Sequence, residues 1–144
     1  MTTVYDVPPD ALIKKLVGKL KKNKAITVPT WGKYVKTGVN REMPPVDDDW
    51  WFVRCSSILR RVYIDGPVGT ARLGTFYGGR HRRGLKTEHF KKGSGSVIRK
   101  ALQQLENAGY VKKMNKGRII TSRGRSLLDN TAFEVEKELE TSES

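Results

Sequence analysis

Apolar residues recur at helical spacing along four stretches of this chain and alternate over a few shorter ones. The sharpest helical pattern runs from Asp47 to Ile64. At about 100° per residue, Trp51, Cys55, Ile58, Leu59 and Val62 fall on one broad stripe, with Phe52 and Tyr63 at its edge. Arg54, Ser57, Arg60 and Arg61 take the opposite side, with Trp50 at the same azimuth. Asp47, Asp48 and Asp49 suit a helix start, where carboxylates meet orphan N–H groups and the positive end of the macrodipole. Gly66 and Pro67, after Asp65, stop the helix. A second helix is expected over Asp10–Lys22, with Leu12, Ile13, Leu16, Val17 and Leu20 on one face. Lys14, Lys15, Lys19, Lys21 and Lys22 cover the rest, and a solvated lysine face is preferred there, because lysine alone is a weak, non-specific phosphate partner.

Ala25–Val28 leads into Pro29-Thr30 and a short helix through Trp31, Tyr34 and Val35 to Gly38, whose aromatics pin it to the core. Asn40–Val46, with Pro44-Pro45, reads as a loop. Gly66–Gly93 holds seven glycines and little helical periodicity, so Thr70–Tyr77 and Leu85–Phe90 are expected as short strands around the turn Gly78–Gly84. Ser94 or Ser96 caps a helix with Val97, Ala101, Leu102, Leu105 and Ala108 on one face, ended by Gly109 at C′. Tyr110–Met114 and Arg118–Thr121 then alternate as strands about Asn115-Lys116-Gly117, whose Asn and Gly accept positive φ. Thr121 caps a last helix, Ser122–Glu140, with Leu128, Ala132, Val135 and Leu139 spaced four, three, four. Helix, basic hairpin, helix is the order of a winged-helix unit, here at about residues 94–140. The acidic end, 134–144, is expected to fray into solvent. All 144 residues fit one domain with a real core.

Charge changes the picture from a generic helical domain to a polyanion binder. The net charge is +13 and the sequence pI about 10.0. Residues 129–144 carry six acids and one lysine, which leaves 27 basic against 9 acidic residues elsewhere, a net of +18. From Arg54 to Arg118 there are 16 basic residues and three acidic ones, whereas a partnerless surface mixes both signs. Nucleic acid is the expected partner, ahead of an anionic membrane. Cys55 is the single cysteine and lies on the apolar stripe, so no intrachain disulfide forms and the chain reads as intracellular. A small buried hydrophobe is expected at that position rather than a nucleophile. No apolar run approaches the roughly 18–20 residues of a membrane span. The start, MTTVYDVPPD, lacks the form of a signal peptide. The expectation is a soluble, cytoplasmic protein.

In the turn Gly78-Gly79-Arg80-His81-Arg82-Arg83-Gly84, small residues let backbone approach phosphate and three arginines offer bidentate, charge-assisted donors. A mobile basic loop is the plainer alternative, and it binds polyanions too. No Gly-Lys-Ser/Thr follows, so this is not a Walker loop. His81 and His89 with one distant cysteine make no metal-ligand set, and His81 fits better as a phosphate hydrogen-bond donor. Consecutive Asp47, Asp48 and Asp49 point to different sides of a helix and cannot converge on one ion. Ser56-Ser57 lacks a neighbouring base or an oxyanion loop. With no catalytic constellation, cofactor or metal expected, the chain does not read as an enzyme. Arg99 and Lys100 are exposed on the helix before the hairpin, and Lys112, Lys113, Lys116 and Arg118 crowd the hairpin itself.

Several motifs recur together in order: Val28-Pro29-x-Trp31, Trp50/Trp51-Phe52-x-Arg54, Tyr77-Gly78-Gly79-Arg80-x-Arg82-x-Gly84, Lys92-Gly93-Ser94-x-Ser96-Val97 and Leu102-Gln103-x-Leu105-Glu106. The set resembles the S19e family of small-subunit ribosomal proteins of archaea and eukaryotes, from about Val7 to Leu128. The acidic end from Glu134 and the lack of a basic tail resemble an archaeal member rather than a eukaryotic one. The resemblance implies a mainly α fold: a helical bundle with a winged-helix-like core and a small antiparallel β-hairpin. It also implies a place in the head of the small subunit, binding to ribosomal RNA, neighbouring ribosomal proteins as partners, and a need for the protein in subunit maturation. Carried over by motif, Arg54, Ser57 and Arg60, then Arg99 and Lys100, are the residues that matter for incorporation. The family pattern has a Trp aligned with Trp50, so this indole has two readings: a stacking platform, or an anchor for its helix.

The expected function is therefore a structural ribosomal protein, monomeric outside the ribosome. It would hold RNA by phosphate and shape through Arg54, Ser57, Arg60, Arg61, Arg80, Arg82, Arg83, Arg99, Lys100, Lys112, Lys113, Lys116 and Arg118. The alternative is a winged-helix DNA-binding regulator, with Ser96–Ala108 as recognition helix and Arg99, Gln103 and Gln104 reading bases. Charge spread over too many surfaces for one duplex footprint favours the ribosomal protein. A basic enzyme acting on RNA would need convergent acid, base or metal residues that the sequence does not supply.

Overall fold

The computed structural model describes residues 2–29, 49–83, 86–91 and 95–143. The expected short helix with Trp31 and Tyr34, the loop 40–46, and Asp47 and Asp48 lie outside them. A 3-10 turn, Val4–Asp6, is closed by Thr3 N donating to Asp6 Oδ2 at 2.8 Å. Helix α1 (Pro9–Lys21) begins on a proline, whose missing N–H costs nothing at the first helical position. Helix α2 (Trp50–Asp65) follows the expected pattern closely. Asp49 holds its N-cap position, yet the carboxylate makes no cap hydrogen bond and instead meets Lys21 Nζ at 2.6 Å, joining the start of α2 to the end of α1. At the other end Gly66 takes φ +76° and its N–H bonds Val62 O at 3.2 Å.

The stripe on α2 is the axis of the core. Trp51, Cys55, Ile58, Leu59 and Val62 are all fully buried. Helix α1 supplies Leu12, Leu16 and Leu20 against it, α4 (Gly95–Asn107) supplies Val97, Ile98, Ala101, Leu102 and Leu105, and α5 (Ser122–Glu143) supplies Leu128, Ala132 and Val135. Each buried Leu, Ile or Val among them gains about 1.5–3 kcal/mol from leaving water, so this one stripe outweighs any single polar contact in the molecule.

Between α2 and α4 the structure departs from the sequence reading. Thr70–Tyr77 was expected as a strand, but Thr70–Phe76 is a short helix, α3, with Leu73 and Gly74 buried where it packs on α4. The expected turn over 78–84 is largely a strand: β1 (Gly79–Arg83) pairs antiparallel with β2 (Lys86–Lys91), matching Gly79 to Lys91, Arg80 to Phe90 and His81 to His89. The fold thus has two hairpins among the described residues, β1–β2 and one nearer the end of the chain.

The unit from α4 to α5 runs helix, hairpin, helix, the order expected there, with the hairpin as a wing. Gly109 ends α4 at φ +87°, with Tyr110 N bonding back to Leu105 O at 3.0 Å. Strands β3 (Val111–Met114) and β4 (Gly117–Ile120) pair Met114 with Gly117 across a two-residue turn. Asn115 does not take the positive φ expected of it; Gly117 does, at +127°. A third backbone partner steadies this hairpin, because Val68 exchanges both hydrogen bonds with Arg118, at 3.1 and 2.9 Å. A Cβ on Gly117 would lie 2.7 Å from the Val68 carbonyl, so glycine is required there. The start of α5 is as tight. Thr121 Oγ1 accepts from Gly124 N at 3.2 Å and donates to Gly109 O at 2.6 Å, and a Cβ on Gly124 would fall 2.3 Å from Tyr110 O. The acidic end was expected to fray; instead α5 stays helical to Glu143 and lies along α1.

One buried amide joins three parts of the core. Gln104 Oε1 accepts from Trp51 Nε1 at 2.9 Å and from Thr27 N at 3.2 Å, while its Nε2 donates to Thr27 O at 2.8 Å. Replacing it with leucine strands the buried indole N–H and frees the Thr27 backbone. Since each orphaned buried group costs about 1–3 kcal/mol, Gln104→Leu should lose about 2–4 kcal/mol of stability in urea unfolding. Burial, opposed by the nearby Arg54 charge, pushes the Cys55 thiol up to about 12 from its ordinary 9.0. The folded state therefore holds this proton more tightly than the unfolded chain. That stability is complete below pH 9.0 and is lost as pH climbs toward about 12. Thiol reagents should leave the native protein unlabelled near neutral pH and react on unfolding.

Candidate nucleic-acid interface

Helix α2 lifts its arginine face out of the core because the opposite stripe is anchored. That face is not bare. Phe76 and Tyr77, at the end of α3, pack against it edge-to-face with ring centroids 4.8 Å apart. The Arg54 guanidinium lies over the Tyr77 ring, 4.0 Å from its centroid, and Arg61 lies over Phe76 at 4.2 Å. Ser57 Oγ and Tyr77 Oη share a 2.6 Å hydrogen bond. Burial raises the Tyr77 hydroxyl above its ordinary pKa, with the Ser57 bond and the charges of Arg54 and Arg61 pulling the other way. Arg61 also pairs with Asp65, Nε to Oδ2, at 3.0 Å. Arg54, Ser57 and Arg61 therefore spend much of their chemistry inside the protein, holding α3 to α2.

Arg60 differs. It is half-buried and, among the described residues, has neither an ion pair nor a ring contact, and its Nε has no hydrogen-bond partner. A guanidinium on a rigid helix, not consumed by an internal partner, is suited to a phosphate. Trp50 packs its ring edge-on to Trp51 at 5.5 Å and contributes to the margin of the core while half-buried, which favours the anchoring role.

The remaining basic candidates fall on other elements. Arg80, Arg82 and Arg83 are carried by β1, in the hairpin between α3 and α4. Arg99 and Lys100 are exposed on the first half of α4, and Lys112, Lys113 and Lys116 are exposed on the β3–β4 wing. Arg118, also on the wing, is turned inward: its side chain is 17% exposed and pairs with Glu106 of α4 at 3.6 Å. Gln104, offered above as a base reader, is buried in the node with Trp51 and Thr27; Gln103 beside it is exposed.

Three exposed arginines absent from the sequence reading add to this surface. Arg72 projects from α3, and Arg123 and Arg125 from the first turn of α5, over Tyr110 at 5.7 Å and Tyr63 at 4.9 Å respectively. Arg123 and Arg125 had a signal in the Ser122-Arg123-Gly124-Arg125 run at a helix start. Arg72 was hidden by the assignment of its segment to a strand.

Opposite charge is collected elsewhere. Along the α1–α5 seam Lys19 meets Glu134 at 3.1 Å and Thr131 Oγ1 at 2.9 Å, and Lys15 bonds Glu138, which raises the lysine above its ordinary pKa. Thr2 reaches Glu136 from the chain start. The acidic end of the sequence thus screens α1, not the arginine surfaces. Among the described residues no cluster of three His, Cys, Asp or Glu could hold a metal ion, and no helix is long and apolar enough to cross a membrane.

Comparison with known proteins is consistent over almost the whole chain. The family model described as ribosomal protein S19e matches residues 3–138. A protein of Thermoplasma volcanium named small ribosomal subunit protein eS19 is 48% identical over 139 residues, covering 96% of this chain and 93% of its own. The protein of that name from Aeropyrum pernix is 49% identical over 142 residues, with the same coverage of 96% and 93%. Small ribosomal subunit protein eS19G of Ascaris suum is 42% identical over 136 residues, covering 93% and 92%.

The two kinds of arginine on α2 are separable by experiment. Arg61→Ala removes a ring contact and an ion pair and should cost about 1–2 kcal/mol in thermal or urea unfolding. Arg60→Glu should cost less than about 1 kcal/mol, since no partner among the described residues is lost, yet weaken association with a polyanion and flatten its salt dependence by about one unit.

Proposed function

The chain belongs to the ribosomal protein S19e family, and on that premise we propose that it is a structural constituent of the small ribosomal subunit, bound to ribosomal RNA through several basic surfaces. The observation that carries this reading is the distribution of cations. Arg60 on α2, Arg99 and Lys100 on α4, and Lys112, Lys113 and Lys116 on the wing have no ion pair among the described residues and belong to three separate elements, and a fourth, strand β1, carries Arg80, Arg82 and Arg83. A protein embedded in folded RNA meets phosphate from several directions. One clamping a single duplex concentrates charge on one helix and its wing.

Packed A-form RNA offers side chains a narrow major groove and abundant phosphate, so recognition proceeds by phosphate spacing and shape. Arg60 and the α4 cations sit on helices, so little ordering entropy is lost when they engage. Arg54, Ser57, Arg61 and Arg118 support the same surface from within it, through the rings and Glu106 that they hold. In this reading the protein works in the cytoplasm, in the subunit head, beside neighbouring ribosomal proteins, and supports subunit maturation. It is a monomer outside the particle. The role is structural rather than catalytic. A winged-helix DNA regulator is disfavoured because Gln104, one of its three base readers, is inside the core.

Neutralising one phosphate at each of the six cations on α2, α4 and the wing would give log K against log salt a slope of about −4 to −5. Titration against small-subunit ribosomal RNA over a salt series measures it. Arg99→Glu with Lys100→Glu should flatten the slope by about 2 and remove the protein from small subunits in high-salt gradients. Wild-type protein that fails to co-sediment with small subunits would overturn the reading.

A further inference from the structure

We propose that the Phe76 ring is a stacking site for an unpaired base of the RNA, with Arg72 taking the adjoining phosphate. The proposal rests on the RNA-binding reading above and names a contact that reading does not contain. Phe76 is 50% exposed although it ends a helix docked on the core. A single exposed apolar residue is ordinary. This one is held in place on two sides. Arg61 covers one face at 4.2 Å, so the exposure falls on the other face and the rim, and Tyr77 meets the ring at 89°. Tyr77 in turn is fastened by Arg54 above it and by the 2.6 Å bond to Ser57. Arg54, Ser57 and Arg61 of α2 and Tyr77 just after α3 thus mount one aromatic surface rigidly toward solvent.

The surroundings suit a nucleotide. Phe76 borders a recess of about 650 Å³, formed with Arg61, Asp65, Ala71, Arg72 and Thr75, within the size range of small-ligand sites. Arg72 stands one helical turn before Phe76 on α3 and is exposed, so its guanidinium and the ring share a face. Asp65, the acid in the recess, is already neutralised by Arg61. Every base has a π-face, so stacking on a fixed ring adds affinity without a sequence code, and single-stranded or bulged RNA exposes such faces. A neighbouring protein could cover an apolar ring, but the charge around this one favours the polyanion. Arg54 and Arg61 act here as positioning residues that set the ring.

The test uses the full chain and folded small-subunit ribosomal RNA over a salt series, with co-sedimentation on small subunits as the second readout. Phe76→Ala should bind about ten- to a hundredfold more weakly with an unchanged salt slope, because stacking is lost and no charge is. Phe76→Trp should bind at least as well as wild type. Arg72→Gln should reduce the slope by about 1. Phe76→Ala gives up the ring contact with Arg61 and should melt lower than wild type, so binding is measured at a temperature where circular dichroism shows both Phe76→Ala and Phe76→Trp fully folded. Wild-type affinity and normal incorporation of Phe76→Ala overturn the proposal and leave the RNA-binding reading standing. Wild-type RNA affinity with loss from subunits also overturns it, by making the ring a protein contact. Absence of salt-dependent RNA binding by wild-type protein overturns the reading beneath it.

Discussion

The Gln104 amide is the contact on which the arrangement of the molecule depends. Apolar burial drives α1, α2, α4 and α5 together, but burial is non-directional and tolerates sliding. Gln104 sets the register. Its acceptor is shared by the Trp51 indole and Thr27 N, and its donor returns to Thr27 O, so α2, α4 and the segment after α1 meet in one geometry. A buried polar network that is fully satisfied specifies one packing where an apolar contact would permit several. With Trp51 held, the stripe of α2 faces inward and its arginines are turned toward α3 and solvent.

That orientation divides the arginines by their neighbours. Arg54 and Arg61 lie over rings, and Arg61 is shared with Asp65. Their charge still reaches the surface, but their stacking also makes the α2–α3 junction rigid. Arg60, on the same helix, has no such internal employment among the described residues. Substitutions one residue apart therefore have different physical meanings: one loosens the mount, the other removes a cation from the surface it supports.

Charge is partitioned at a larger scale as well. The glutamates of α5 pair with α1 lysines along a seam remote in sequence from the basic middle of the chain. Exposed ion pairs of this kind stabilise by only about 0–1 kcal/mol each. Their larger effect is on the field, because they cancel positive charge on one flank and leave it on α4 and the wing. A net charge of +13 is thus spread unevenly, muted along the α1–α5 seam and strong on several other elements.

Much of this was legible in the residues. The α2 stripe, the stops at Gly66 and Gly109, the Thr121 cap and the wing follow from local periodicity and backbone preference, which act within a few residues. The basic character of the surface follows from composition, and the family from motifs in order. Three features were decided only by packing. Thr70–Phe76 contains strand formers, yet docks on α4 as a helix because Leu73 and the Phe76–Tyr77 pair find partners on α4 and α2. Gln104 reads as an exposed polar residue beside Gln103 until Trp51 and Thr27 are brought to it. The acidic end reads as frayed until α1 supplies lysines and an apolar flank. In each case the deciding partner is distant in sequence. Periodicity carries the preference of a segment for its own geometry, but not the identity of what it will touch.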